Sequence, residues 1–89
     1  MEITQTSRFK KAYKKLHLNQ LSEVNKAIEN IFKNPDIGEQ KKGNLSWLRV
    51  YKFKVPGQLT LIGYSIEKKD KIMLILVNIS SHENFYRDL

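Results

Sequence analysis

The sequence predicts an α+β fold: an N-terminal helical hairpin packed on a small twisted antiparallel β-sheet. Three observations predict it. Apolar residues recur with a helical period up to Asn34 and with a period of two from Leu45 onward. Helices come first and strands follow, an order that favours antiparallel pairing. Eighty-nine residues make one domain, spanning 1–89, with no room for a second core.

Each element has its own signal. Ile3 and Thr4 fit a short first strand. Thr6 or Ser7 is a suitable N-cap. Phe9, Ala12, Tyr13 and Leu16 then recur at i, i+3, i+4 and i+7, one face of a helix, while Lys10, Lys11, Lys14 and Lys15 form the other face. After a turn at His17, a second helix begins near Asn19. Its stripe is Leu21, Val24, Ala27, Ile28, Ile31 and Phe32. It stops at Asn34, because Pro35 disfavours the α conformation for the residue before it.

Asp36-Ile37-Gly38 and Lys41-Lys42-Gly43 punctuate a loop. From Leu45 to Lys54 the alternation predicts a strand. Leu45, Trp47, Arg49, Tyr51 and Phe53 share one face; Ser46, Leu48, Val50, Lys52 and Lys54 share the other. Pro56-Gly57 fits a type II turn, with Pro setting φ and Gly supplying φ > 0. Gln58–Glu67 is the next strand, and Glu67–Asp70 a polar turn. Ile72–Ile79 is almost wholly apolar, which predicts a central strand buried on both faces. The tail from Ser80 to Leu89 is polar, aromatic and charged.

Composition excludes several classes. Apolar residues at 40% and charged residues at 28% mark a globular rather than a disordered chain. There is no cysteine, which removes disulfides, thiolate zinc sites and thiol nucleophiles. The two histidines, His17 and His82, have no companions at ligand spacing, so neither a metal nor another cofactor is expected. The longest apolar run, Ile72–Val77, is six residues and cannot span a bilayer. Met1–Gln5 lacks the basic start and apolar core of a signal peptide, so a cytoplasmic protein is expected. Sixteen Lys and Arg against nine Asp and Glu leave a net charge of +7, which predicts an anionic partner.

The candidate chemistry lies at the end of the chain, in Ser81-His82-Glu83-Asn84-Phe85-Tyr86-Arg87. A histidine with a tyrosine four residues later and an arginine five later suits cleavage of a phosphodiester by a ribose 2′-hydroxyl. That reaction needs a base, an acid and cations on the phosphorane charge. Histidine serves as base or acid near neutral pH, tyrosine donates a proton or stacks on a base, and arginine clamps phosphate. Arg49, among aromatics on a strand, is a second candidate for the phosphate. Lys52, Lys54, Arg87, Lys10, Lys11 and Lys14 are candidate RNA-binding cations. Phe85 is expected to pack inward and Tyr86 to face outward.

Five segments carry a family resemblance. They are Phe9 to Leu16, Asn34-Pro35, Leu48-Arg49-Val50-Tyr51, Leu61 to Ile66, and Ser81-His82-Glu83-Asn84-Phe85-Tyr86. In order and spacing, over essentially the whole length, they resemble the RelE/ParE superfamily, the toxins of bacterial type II toxin–antitoxin systems. The last segment resembles the closing motif of the YafQ-like branch. The resemblance implies two helices on a twisted antiparallel sheet and ribosome-dependent cleavage of mRNA. It implies catalytic roles for His82, Tyr86 and Arg49, the last neutralising the scissile phosphate. It also implies an acidic cognate antitoxin, with a toxin monomer inside a hetero-oligomer, and the ribosome and mRNA as targets. Two departures stand out. Ser80 replaces a frequent glycine. Gly63 and Tyr64 occupy the place of a second strand-borne cation, leaving Lys52, Lys54 or Arg87 to replace it. The ParE branch, which shares the fold but inhibits DNA gyrase without cutting RNA, is the alternative.

Overall fold

The computed structural model describes residues 1–88. Leu89, counted above in the tail, lies outside them. The elements are β1 (Glu2–Gln5), α1 (Ser7–Lys14), α2 (Leu18–Lys33), β2 (Glu39–Gln40), β3 (Arg49–Val55), β4 (Gln58–Lys68) and β5 (Ile72–Ser81). The strands form one sheet in the order β1-β5-β4-β3-β2. Among the described residues, no helix is long and apolar enough to cross a membrane.

Both helices sit on one face of the sheet, α1 against β5 and α2 against β3. Phe9, Val24, Ala27 and Ile31 from the helices meet Ile62, Tyr64, Leu74, Leu76 and Ile79 from the sheet in the main core. Thr6 fixes where α1 starts. Its Oγ1 accepts from the Phe9 N–H at 3.1 Å and donates to the Val77 carbonyl at 2.6 Å, so one hydroxyl caps the helix and ties it to β5. Gln20 caps α2 in the same spirit, its Oε1 accepting from the His17 N–H at 3.0 Å.

The sheet is mixed. β2–β3, β3–β4 and β4–β5 are antiparallel, but β1 lies parallel to β5, with Ile3 opposite Leu74. The chain leaves β1 through two helices and a hairpin before reaching β5, a crossover long enough to make a parallel pair. The central strand is β4, not β5. Thr60–Tyr64 is buried without a break, while β5 alternates. The reason is coverage: among the described residues the second face of the sheet carries neither α-helix, only the chain's tail, whose Phe85 rests against Gly63 of β4.

The strand expected from Leu45 begins four residues later. Gly43–Leu45 is a 3-10 turn, with Gly43 at φ 65°. Its N–H donors are used locally: Ser46 N to Gly43 O at 3.1 Å and Leu48 N to Leu45 O at 2.9 Å. Leu45 and Trp47 are therefore outside the ladder. The Pro56-Gly57 turn joins β3 to β4 directly, with Gly57 at φ 79° as the turn requires. In β5, Val77 is an extra residue: Gly63 pairs with Asn78 and Tyr64 with Leu76. This bulge re-aims the last turn of β5 that leads to His82.

Candidate functional site

The face of the sheet without helices carries a cavity of about 460 Å³. Val50 and Leu61 contribute to its apolar lining, and Glu39, Lys41, Lys52, His82 and Tyr86 are its polar lining. Register explains the gathering. Glu39 lies opposite Val50 and Lys52 opposite Leu61, so these side chains share a face. Lys41 continues β2, its N–H donating to the Leu48 carbonyl at 2.9 Å.

The tail is held by one aromatic ring. After β5 the chain turns tightly, with the His82 N–H donating to Leu59 O at 2.9 Å and the Phe85 N–H to Ser81 O at 3.0 Å. Phe85 is fully buried with Leu48, Val50 and Leu61. It sits directly on Gly63: a Cβ there would meet Phe85 Cζ at 2.6 Å. The glycine that stands in place of a strand-borne cation is thus the seat of the tail. Tyr86 turns the other way and is 44% exposed, its ring edge-on to Phe85 at 5.1 Å.

Lys41 ties the two sides of the cavity together. Its Nζ is 2.6 Å from Glu39 Oε1 and 5.4 Å from the Tyr86 ring centroid. The hydrogen bond and charge of Lys41 hold the Glu39 carboxyl below the usual carboxylate range. Hydrogen bonding to Glu39, then to Tyr86, raises Lys41 above the ordinary lysine value. The site therefore holds a carboxylate paired with an ammonium, an imidazole and a phenol around one opening.

Of the residues expected from sequence, His82, Tyr86 and Lys52 come together here. Lys54 shares their face one alternation further on, opposite Leu59, at the hairpin end. Arg87 is exposed beside Tyr86. The α1 lysines do not join the cavity. Lys10 and Lys14 line a groove with β1 and Tyr13, and Lys11 lines a cleft at the end of β5.

Arg49 is placed elsewhere. Alternation turns it to the helix-bearing face, opposite Tyr64. There its guanidinium donates to Gly38 O at 2.7 Å and Asp36 O at 3.3 Å, and pairs with Asp36 Oδ1 at 3.3 Å. The structure does not bring it to His82 and Tyr86, because its donors are taken up by the loop that leads into β2. Sequence reasoning missed Glu39 and Lys41. Lys41 falls in the Lys41-Lys42-Gly43 segment that marks a loop, Glu39 lies between the two loop segments, and no periodicity marks a two-residue strand.

The sequence model of the "ParE-like toxin of type II bacterial toxin-antitoxin system" family matches residues 3–89. The chain belongs to this family. Solved structures agree on the fold. A mutant of the E. coli toxin RelE in the free state matches with a TM-score of 0.72 at 14% identity, over 96% of this chain and 86% of that one. A chain of the intact E. coli RelBE toxin–antitoxin complex matches with a TM-score of 0.67 at 16% identity, over 89% of this chain and 93% of that one. No curated protein matches significantly. The toxin is thus a RelE/ParE superfamily member with the RelE fold, and its polar cavity lies on the sheet face that the two helices leave open.

Proposed function

We propose that the toxin is a ribosome-dependent mRNA endoribonuclease that halts translation in the cytoplasm. The observation that carries this reading is the convergence of Glu39, Lys41, Lys52, His82 and Tyr86 on one open cavity. The step is attack of a ribose 2′-oxygen on the adjacent phosphorus. The bond from phosphorus to the 5′-oxygen breaks, leaving a 2′,3′-cyclic phosphate and a 5′-hydroxyl. The Glu39 carboxylate accepts the 2′-hydroxyl proton, and His82 gives a proton to the departing 5′-oxygen. Lys41 and Lys52 offset the charge that builds on the phosphorane, and the Tyr86 hydroxyl donates to a non-bridging oxygen of the same phosphate.

The experiment is induction of His82→Ala and Tyr86→Phe variants beside the parent, with message integrity followed. Loss of the proton donor is expected to slow cleavage by roughly 10²–10⁴-fold. If both variants degrade message as the parent does, the assignment is wrong. The family model favours one other reading, a ParE-like inhibitor of DNA gyrase that cuts no RNA. Plasmid supercoiling measured in the same cultures separates the two: altered supercoiling with intact message selects gyrase.

The partner on either reading is an acidic antitoxin. The +7 charge favours one electrostatically, and the fold is shared with a chain of a toxin–antitoxin complex. The antitoxin wraps the toxin with a segment that folds on binding, and the toxin is a monomer within the hetero-oligomer. Light scattering of free toxin checks this. A stable homodimer at micromolar concentration counts against it.

A further inference from the structure

A second pocket, of about 510 Å³, adjoins the cavity at His82. It lies at the hairpin end of the sheet, between the β3–β4 turn at residues 57–59 and the turn at residues 81–84 that follows β5. The His82 N–H, donating to Leu59 O at 2.9 Å, pins these two turns together. The same turn spends the Asn84 N–H on Ser81 O at 3.1 Å. The side chains are left over. Among the described residues, Gln58, Glu83 and Asn84 make no side-chain hydrogen bond or ion pair. No lysine or arginine among the described residues lines the pocket, although the chain carries a net charge of +7. Two uncommitted amides and a carboxylate, with no cation beside them, do not suit a phosphate. They suit the edge of a nucleobase, whose amino groups donate and whose ring nitrogens and carbonyls accept.

The place of His82 decides which nucleobase this is. Glu39 lies on β2 and His82 follows β5, with β3 and β4 between those strands. Proton acceptor and proton donor thus stand on opposite sides of the cavity. On the cleavage reading the attacked phosphorus lies between them, and the departing 5′-oxygen is on the His82 side. His82 lines both the cavity and the pocket. A nucleoside whose 5′-oxygen meets His82 therefore has the pocket beside it. We propose that this pocket reads the nucleobase on the 3′ side of the cleaved bond, favouring a base that bears an amino group (adenine, cytosine or guanine) over uracil. Glu83 accepts from the amino group, and the Gln58 and Asn84 amides pair with the ring nitrogen or carbonyl next to it. Uracil has no amino group to give. The preference rests on the cleavage reading for the identity of the ligand as RNA.

The test has two arms. In the first, isotope-labelled full-length toxin is titrated with two-nucleotide 2′-O-methyl RNAs that end in A, C, G or U, and the NMR signals of the Gln58 and Asn84 side-chain amides are followed. These RNAs lack the attacking hydroxyl, so binding is read without cleavage. The three amino-bearing ligands are expected to shift both amides and to bind roughly tenfold more tightly than the uridine one. Glu83→Gln is expected to bring that ratio below about threefold, because the amino group then loses its charged acceptor. Glu67→Gln, which removes a carboxylate at the far end of β4, is expected to leave the ratio unchanged. In the second arm, the parent and Glu83→Gln are given ribosome-bound messages that differ only in the nucleotide 3′ of the cut. The parent is expected to cut the uridine message slowest, and Glu83→Gln to narrow the difference. A role in folding alone would slow all four messages alike. Equal binding of the four ligands by the parent, or a preference that Glu83→Gln leaves intact, overturns the pocket. If messages are cut at rates indifferent to that nucleotide, the cleavage reading stands and the pocket's part in it falls. If the parent binds in the expected order but cuts no message, the cleavage reading falls and the pocket stands as a nucleobase site.

Discussion

Phe85→Ala is expected to destabilise the toxin by roughly 3–5 kcal/mol, the usual cost of emptying a buried phenylalanine site. That is a large part of the 5–15 kcal/mol typical of a whole domain. The ring is fully buried, bears on Gly63 and closes the small core of Leu48, Val50 and Leu61. Nothing else with a large apolar side chain holds the described tail down, so activity should fall together with stability. Tyr86→Phe, one residue on, should leave stability nearly unchanged while reducing activity, because that ring is 44% exposed at the cavity. Thermal melts of the two proteins decide this. A stable Phe85→Ala protein beside a strongly destabilised Tyr86→Phe protein would reverse the roles. Gly63→Ala provides a milder version of the same lesion. Its added methyl would stand 2.6 Å from Phe85 Cζ, an overpacking worth about 1–3 kcal/mol.

Tyr64→Phe should act on the opposite side of the site, through the loop that carries Glu39 and Lys41. The Tyr64 hydroxyl donates to Pro35 O at 2.7 Å and accepts from the Gly38 N–H at 2.9 Å. Removing it strands both backbone groups, at about 1–3 kcal/mol for each that stays buried. The close approach needs Gly38, where a Cβ would meet the hydroxyl at 2.6 Å. Burial raises the Tyr64 pKa above its ordinary value of 10.0. A phenol whose folded value exceeds its unfolded value stabilises the protein fully below pH 10, and that contribution is lost as pH rises through the folded value. The stability gap between parent and Tyr64→Phe should therefore narrow above pH 10. A gap that is constant or grows there would show that burial of the neutral phenol is not the cause. Arg49→Ala loosens the same loop by removing the bonds to Gly38 O and Asp36 O. It is expected to cost about 1.5–3 kcal/mol, as for hydrogen bonds from a charged group. If Arg49→Ala loses RNA cleavage with its melting temperature unchanged, Arg49 touches the substrate after all.

Some of this was legible in the sequence and some was not, for physical reasons. The helices were legible because their apolar spacing, the Thr6 cap and the Asn34-Pro35 stop all agree. Pro56-Gly57 was legible because only a few residue types fit that turn. His82 and Tyr86 were found as a pair because they are close in the chain. The centre of the sheet was misplaced because apolar content does not report coverage. Ile72–Ile79 is more apolar than Gln58–Glu67, yet Phe85 lies over the latter strand. The catalytic role of Arg49 is implied by the family resemblance; alternation groups it with Tyr51 without showing which face bears the helices, and the pairing with Tyr64 puts it on the helix-bearing face. Glu39 and Lys41 were missed because their place depends on a two-residue strand whose partners lie ten residues downstream.

The parallel pairing of β1 with β5 also bears on the order in which the molecule can be made. Glu2–Gln5 leave the ribosome long before their partners, Met73–Leu76, are made. The hydroxyl of Thr6 likewise waits for Val77. Such sequence-distant contacts pay their loop-closure entropy late and make folding slow. A nascent chain can form the α1–α2 pair and the β3–β4 hairpin early, but its outer edge stays unpaired until β5 arrives. His82, Phe85 and Tyr86 follow β5, so the cavity's last wall is added only after the sheet has closed. Until those residues are added, the cavity lacks two of its polar side chains, His82 and Tyr86.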